Sequence, residues 1–191
     1  MTRRPNPAPR ASTRERARAA TLRLLAEVDY GRLTYEGIAA ASGVAKTSLY
    51  RHWPTKAELV FDLVLREQQL PSLAATGSPA NDRAALADRF AVFVGSPVAR
   101  RTFPGLVADI SADPLLRQRF LDDFVVPARG LLGPVFTRMA PDSRLERMPT
   151  EDLQATLLGA AFIWVYLLAL DTDDVRARLE NLVDALLPSS P

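Results

Sequence analysis

Residues 34–56, TYEGIAAASGVAKTSLYRHWPTK, constrain the fold of this chain more than any other stretch. Thr34 can cap a short helix, and Gly43 can adopt the positive φ that a tight turn after that helix requires. A further short helix fits from about Ala45 to His52, where Pro54 would stop it. The pattern therefore predicts two short helices joined by a glycine turn.

Helix-start signals lie on both sides of this stretch. Ser12 with Glu15, and Thr55 with Glu58, have the spacing of a capping box, in which the hydroxyl and the carboxylate each accept a backbone N–H. The first box predicts a helix that closes at Gly31, and the second predicts a helix running to about Leu70. Three helices with a glycine turn between the second and third predict a helix-turn-helix, whose third helix enters the major groove of DNA.

The charge distribution favours a polyanionic partner for the same region. Residues 1–56 hold eleven Lys/Arg and four Asp/Glu, a net charge of +7, whereas residues 57–191 carry a net charge of −5. A basic end on an acidic body is typical of a protein that docks on nucleic acid through that end. The first eleven residues are expected to be a disordered basic arm, and they lack the apolar segment of a secretory signal.

The third predicted helix divides into an exposed face and a buried one. Leu49 and Trp53 are expected in the core. Candidate base contacts on the exposed face are Lys46, Thr47, Ser48 and Arg51. Candidate phosphate contacts are Tyr50, His52 and Lys56, and Thr34 and Tyr35 at the start of the second helix complete the predicted DNA-binding set. Basic side chains supply salt-dependent backbone affinity, whereas contacts to base edges supply sequence preference.

The rest of the chain also has helical signals and no persistent strand alternation. Asn81 or Asp82 can cap one helix, and the orders Ser96-Pro97 and Asp113-Pro114 are typical of helix starts. Pro127 is expected to kink or break the helix that begins at Pro114. The sequence therefore predicts an all-α protein, with polar linkers around residues 71–79 and 141–149.

Residues 155–170, ATLLGAAFIWVYLLAL, are almost wholly apolar. The run is shorter than the roughly 18 to 20 residues of a membrane span and has acidic flanks, so a helix buried on nearly all sides is expected. Together with a stripe on the last helix, its apolar surface exceeds what one small body can cover, which favours a dimer interface. The candidate interface residues are Ala160, Ala161, Trp164, Leu167, Leu168, Leu179, Leu182 and Leu186.

The string from Leu33 to Leu59 resembles the tetracycline-repressor (TetR) family of bacterial transcription regulators. The matching elements are Gly-Ile-Ala at residues 37–39, Ala-Ser-Gly-Val at 41–44, Leu-Tyr-Arg-His-Trp-Pro at 49–54, and Lys56 with Glu58-Leu59. The resemblance implies that the side chains at Tyr50, His52 and Lys56 contact operator phosphates. Ala45 departs from the family, which usually has a hydroxyl residue there, so a helix cap is expected to be missing.

The resemblance also implies an architecture: a helix-turn-helix domain at residues 12–56, and a helical regulatory and dimerisation domain at residues 57–191. Family members are homodimers on palindromic operators, and their middle helices enclose a pocket for a small-molecule effector. No cofactor is implied. The aromatic residues expected to line such a pocket are Phe90, Phe93, Phe103, Phe120, Phe124, Phe162 and Tyr166.

These observations favour a ligand-released repressor over two alternatives. An enzyme or carrier is disfavoured because the chain has no cysteine, a single histidine and no recognisable catalytic or phosphate-binding motif; no metal site is expected either. A membrane-associated protein would need residues 155–170 as an anchor. The absence of cysteine fits a reducing compartment, and a cytoplasmic protein is expected.

Overall fold

The computed structural model describes residues 12–65, 75–139 and 148–187, and these residues form helices and no strand. The predicted arm, the end of the fourth predicted helix and most of the two predicted linkers lie outside these ranges. The helices are α1 (Thr13–Glu27), α2 (Tyr35–Ser42), α3 (Lys46–His52), α4 (Lys56–Val60), α5 (Pro79–Gly95), α6 (Pro97–Ala112), α7 (Pro114–Phe120), α8 (Val126–Met139), α9 (Thr150–Tyr166) and α10 (Thr172–Leu186).

The predicted N-terminal caps of α1, α2 and α4 are confirmed. Both capping boxes are complete, with Ser12 before α1 and Thr55 before α4. The Thr34 hydroxyl accepts from the backbone N–H of Gly37 at 3.1 Å. Gly43 follows α2 with φ 65°, the left-handed conformation that glycine adopts without a side-chain clash. The helix-turn-helix therefore rests on local signals within the sequence.

α1 ends earlier than Gly31, where its end was expected. The chain becomes extended at Val28 and then forms a 3-10 turn at Tyr30–Arg32. This turn directs the Tyr30 ring against Gly105 of α6, where an added Cβ would lie 2.4 Å from the ring. Only glycine at position 105 lets this aromatic side chain approach α6 so closely.

Two of the three predicted starts in the body are confirmed. The Ser96 hydroxyl accepts from Ala99 N–H at 3.2 Å, and the Asp113 carboxylate caps α7 by accepting from Leu115 N–H at 2.9 Å. The predicted cap at Asn81 or Asp82 is wrong, because α5 already begins at Pro79. The Asp82 carboxylate lies within the first turn and instead accepts the Thr76 hydroxyl at 2.7 Å.

Pro127 does not break the helix, which was one of the two predicted outcomes. Between α7 and α8 the chain forms a π-helical turn at Leu121–Val125, in which the Val126 N–H donates to the Leu121 carbonyl. The wider turn accommodates a proline ring that would clash in a regular α-helix, so helical structure continues from α7 through α8. A second π-helical turn, Phe61–Leu65, extends α4.

In the described part of the chain, the buried apolar side chains form two clusters. The first cluster contains side chains from the first four helices and from α6 and α7, among them Leu49, Phe61 and Leu106. The other joins α5, α8, α9 and α10 and includes Phe90 and Leu157. The helix-turn-helix thus shares its core with the first helices of the body.

α9 is not buried on nearly all sides, which corrects the expectation for residues 155–170. One face packs in the core through Leu153, Leu157 and Val165, but Ile163 is 44% exposed and Leu167 is 67% exposed. The apolar composition of this segment thus exceeds what the core of one chain covers. Among the helices in the described part of the chain, none is long and apolar enough to cross a membrane.

Candidate nucleic-acid interface

α3 presents a polar, basic face to solvent. Lys46, Thr47 and Arg51 are exposed, and Ser48 is half-buried one residue before the core. Because successive residues of a helix point about 100° apart, these side chains and the buried Leu49 occupy different faces of one short helix. The exposed face has the donors that base edges and phosphates require.

Two side chains anchor α3 in the core, as predicted. Leu49 is fully buried, and Trp53 is 6% exposed. The Trp53 indole N–H donates to the Asp62 carboxylate at 2.8 Å, and the same carboxylate is paired with Arg14 of α1. Asp62 was not predicted from the sequence, although a buried indole N–H requires an acceptor somewhere nearby. This cluster fixes the end of α3 against both α1 and the turn after α4.

Tyr35 and Tyr50 stack with ring centroids 4.1 Å apart. Tyr35 is buried, and its hydroxyl donates to the Trp53 carbonyl at 2.5 Å, so its polar end faces the protein rather than solvent. Burial, with a smaller contribution from Tyr50, raises the pKa of Tyr35 to about 12. Tyr35, one of the predicted DNA contacts, is therefore buried beneath the exposed Tyr50, and its hydroxyl is bonded within the chain.

Lys46 forms an ion pair with Glu36 of α2, and its ammonium lies 5.6 Å from the centroid of the Tyr50 ring. The hydrogen bond between the two side chains lowers the pKa of Glu36 and raises the pKa of Lys46. Both groups are at the surface, so the pair is exchangeable. A DNA phosphate or base at this position would compete with Glu36 for Lys46.

Lys56 is half-buried and bound within the chain. Its ammonium donates to the Tyr30 carbonyl at 2.8 Å and lies 4.2 Å from the centroid of the Tyr30 ring. The Tyr30 hydroxyl in turn donates to Asp109 of α6 at 2.5 Å, and burial, followed by Asp109, raises the pKa of Tyr30. The predicted phosphate contact Lys56 is thus connected to the body through one tyrosine.

Other predicted DNA contacts lie at the surface. His52 is exposed, with its ring 5.5 Å from that of Trp53, and Thr34 is exposed while capping α2. Ala45 precedes α3 and forms no side-chain cap hydrogen bond, as predicted. Ala45 therefore supplies no side-chain acceptor for the N–H groups in the first turn of α3. This turn is the end of the helix that would face DNA.

The predicted pocket aromatics separate into two groups. Phe93 contacts both Phe103 and Phe124, with ring centroids 5.3 and 5.7 Å apart. Phe120, Phe162 and Tyr166 extend this cluster through further ring contacts. Phe90 lies in the other core, fully surrounded by apolar side chains. A cavity of about 280 Å³ adjoins Phe93 and is also lined by Arg89, Val92 and Ser96.

The predicted dimer residues also differ in their surroundings. Ala161 and Leu179 are fully buried within the chain, so they face its own core. Leu167 and Leu168 are exposed, whereas the remaining candidates are half-buried. Those half-buried residues are Ala160, Trp164, Leu182 and Leu186. The chain therefore leaves apolar side chains uncovered around the C-terminal end of α9.

Comparison with known proteins assigns this geometry to a family. Residues 18–63 match the family described as bacterial regulatory proteins, tetR family. These residues therefore form a helix-turn-helix domain similar to that of the tetR family. Two relatives are named uncharacterized HTH-type transcriptional regulators, from Mycobacterium bovis and Mycobacterium tuberculosis. Each is 27% identical over 186 residues, which cover 96% of this chain and 91% of the relative.

The domain match and the printed names of the relatives support a helix-turn-helix transcriptional regulator. The matched residues run from within α1 to the π-helical turn after α4, so they contain all of α2, the glycine turn and α3. Regulators of this family bind DNA. The alignment with the mycobacterial relatives covers the body as well, since it includes 96% of this chain.

Proposed function

We propose that this regulator is a repressor that binds a palindromic operator as a homodimer and is released from it by a small-molecule effector. The observation that carries the proposal is the exposed basic face of α3, which is anchored by the buried Leu49 and Trp53. In a two-fold dimer, two such helices would enter successive major grooves about 34 Å apart. The site of action would be the cytoplasm.

We assign contacts with the operator to two kinds of side chain. Lys46, Thr47, Ser48 and Arg51 would read base edges, because they share the exposed face of α3. Tyr50, His52 and Lys56 would bind phosphates, with Thr34 at the start of α2 beside them. The two domains would divide near residue 56, although the shared core couples them mechanically.

Support for a homodimer comes from the uncovered apolar side chains around the C-terminal end of α9. Ile163, Leu167 and Leu168 are exposed together near the end of α9. Monomeric proteins rarely leave a contiguous apolar patch of this kind in contact with water. A two-fold axis through this surface would pair the patch with its copy.

Support for an effector comes from the aromatic cluster of α5, α6 and α9 and the cavity beside Phe93. An apolar cavity with a few polar groups, here Arg89 and Ser96, is typical of small-molecule sites. A ligand would release the operator if it favoured a body conformation in which the two α3 helices are wrongly spaced. DNA would then weaken ligand binding by the same factor.

Gel retardation at low salt, with the protein's own upstream DNA, tests the proposal. The folded protein should retard this fragment at concentrations that leave an unrelated fragment of equal length free. Arg51→Ala should lose the preference while keeping the fold, and Arg117→Ala on the exposed face of α7 is the matched control. A folded dimer that retards neither fragment, or both equally, would contradict the proposal.

A further inference from the structure

The charged end of Lys56 is held by one buried residue, Tyr30. The Lys56 ammonium donates to the Tyr30 carbonyl at 2.8 Å and lies 4.2 Å from the centroid of the Tyr30 ring. A cation this close to the face of a tyrosine ring is attracted by the ring as well as by the carbonyl. Lys56 is therefore fixed at its ammonium, whereas a lysine side chain in water samples many rotamers.

The carbonyl that binds Lys56 belongs to the 3-10 turn between α1 and α2. The same Tyr30 carbonyl accepts the Leu33 N–H at 3.2 Å, which closes this turn. Leu33 directly precedes Thr34, which caps α2 and is a predicted DNA contact. Since an ammonium group has three N–H donors, the bond to one carbonyl leaves Lys56 able to donate to a phosphate as well.

Tyr30 is in turn held by α6 of the body. It is only 3% exposed, and its hydroxyl donates to the Asp109 carboxylate at 2.5 Å. Its ring lies against Gly105, about one turn earlier on the same helix, where an added Cβ would have to displace the ring. Two residues of α6 thus fix both the hydroxyl and the ring of Tyr30.

We propose that Tyr30 is a positioning residue for the DNA contact of Lys56, and that Asp109 and Gly105 of α6 hold Tyr30 in the required place. A lysine that is ordered before DNA arrives loses less side-chain freedom on binding a phosphate than an unrestrained lysine does. The inference rests on the proposed function, because it requires Lys56 to bind the DNA backbone. Tyr30 and Asp109 act through Lys56 and need no contact with DNA themselves.

The position of Lys56 is measurable without DNA, because the chain contains two lysines, Lys46 and Lys56. In the NMR spectrum of the full-length protein with isotope-labelled lysine, the ε-methylene protons of Lys56 should resonate upfield, since the adjoining ammonium lies over the Tyr30 ring. Asp109→Ala should move this signal toward that of a lysine in an unfolded chain and leave the Lys46 signal unchanged. Asp109→Asn keeps an acceptor for the Tyr30 hydroxyl and should restore most of the upfield shift.

Tyr30→Phe is the second variant, and it removes the hydroxyl while keeping the ring and the carbonyl. It should move the Lys56 signal in the same direction as Asp109→Ala does. Asp122→Ala removes the same charge from an exposed position of the π-helical turn after α7 and should leave the signal in place. A Lys56 signal that is unmoved in both Tyr30→Phe and Asp109→Ala, or that moves as far in Asp122→Ala, would overturn the proposal.

Fluorescence anisotropy with labelled DNA connects this placement to the proposed function. The probe is a duplex of mixed sequence at low salt, because phosphate contacts do not depend on an operator sequence. Asp109→Ala should weaken binding about two- to tenfold relative to Asp122→Ala. In the Lys56→Ala background the same substitution should change binding by less than about twofold, whereas in the Lys46→Ala background it should keep its full effect.

The positioning role and the phosphate contact fail in different ways. If Lys56→Ala weakens binding but Asp109→Ala costs as much affinity in its presence as in its absence, Asp109 acts on the fold in general. The positioning role is then overturned, while the phosphate contact of Lys56 stands. If Lys56→Ala leaves binding to the duplex unchanged, Lys56 contacts no phosphate, and both the positioning role and this part of the proposed function are overturned.

Discussion

Single hydrogen bonds and ring contacts determine which side chains of α2 and α3 are buried and which reach the surface. Tyr35 is an example, since its hydroxyl holds the Trp53 carbonyl at the end of α3 while its ring supports Tyr50. A sequence shows that two tyrosines flank the turn, but not that one is buried and the other exposed. The role of Tyr35 is therefore positional.

Tyr35→Phe should lower the free energy of unfolding by about 1–3 kcal/mol, because it leaves the Trp53 carbonyl without this donor. Urea denaturation measures the change. Tyr50→Phe is the control, since its side chain is exposed, and it should shift stability by less than about 0.5 kcal/mol. Equal effects of the two substitutions would contradict the assignment of Tyr35 as a support.

The raised pKa of Tyr35 predicts that the free energy of unfolding falls at alkaline pH. Because its folded pKa of about 12 lies above the ordinary value near 10, Tyr35 contributes stability that is complete below pH 10 and is lost as pH rises through 12. The stability difference between the wild type and Tyr35→Phe should accordingly shrink over this range. Denaturation curves at pH 9, 10 and 11 test it, and a constant difference would show that Tyr35 does not ionise on unfolding there.

Lys46 and Lys56 should differ in how they affect DNA binding. Lys46→Ala should change which sequences are preferred, because this side chain lies on the exposed face of α3 and is held by the exchangeable Glu36. Lys56→Ala should weaken all sequences alike and flatten the salt dependence by about one unit of log slope. Fluorescence anisotropy over a salt series distinguishes the two variants. If both lose the same affinity for every DNA sequence, Lys46 contacts only the phosphate backbone of DNA.

At the scale of helices, the missing cap of α3 is the feature with the clearest energetic consequence. Ala45→Ser should raise the free energy of unfolding by about 1 kcal/mol, since a hydroxyl there can accept an N–H of the first turn. Thermal or urea unfolding measures it. Ala19→Ser, exposed within α1, is the control and should be slightly destabilising; a gain there and none at position 45 would contradict this account.

Helix starts could be predicted because their signals are local. Ser12, Thr34, Thr55, Ser96 and Asp113 each accept an N–H from within three residues, so the pattern is visible in the sequence. The continuation through Pro127 could not be predicted, because the π-helical turn that accommodates it depends on how α7 and α8 pack. The predicted cap at Asp82 was wrong, because α5 begins at Pro79 and the Asp82 carboxylate accepts a hydrogen bond from Thr76, which precedes the helix.

In the candidate site, too, local features could be predicted from the sequence, whereas features that depend on packing could not. The exposed face of α3 and its anchors Leu49 and Trp53 were predictable from helical periodicity and burial preference. The sequence did not predict the roles of Asp62, Asp109 and Glu36, because each of these side chains contacts a partner on another helix or turn. The resemblance to the TetR family located Lys56, but its bond to the Tyr30 carbonyl is a property of the packed chain.

At the scale of the whole molecule, the uncovered surface of α9 and α10 predicts self-association. Leu167→Lys should weaken the dimer at least tenfold while leaving the fold intact, because this side chain is exposed in the single chain. Leu115→Lys, on α7 and even more exposed, is the matched control. Sedimentation equilibrium measures both, and a dimer that withstands Leu167→Lys but dissociates with Leu115→Lys would place the interface elsewhere.

Selection of bound DNA from a random pool tests the central claim, that α3 of a symmetric dimer reads an operator, most directly. The account predicts enrichment of an inverted repeat whose half-sites are centred about 34 Å apart, or a multiple of that distance, with the preference altered by Lys46→Ala or Arg51→Ala. Enrichment of no sequence, or of one unaltered by substitutions on the exposed face of α3, would contradict it.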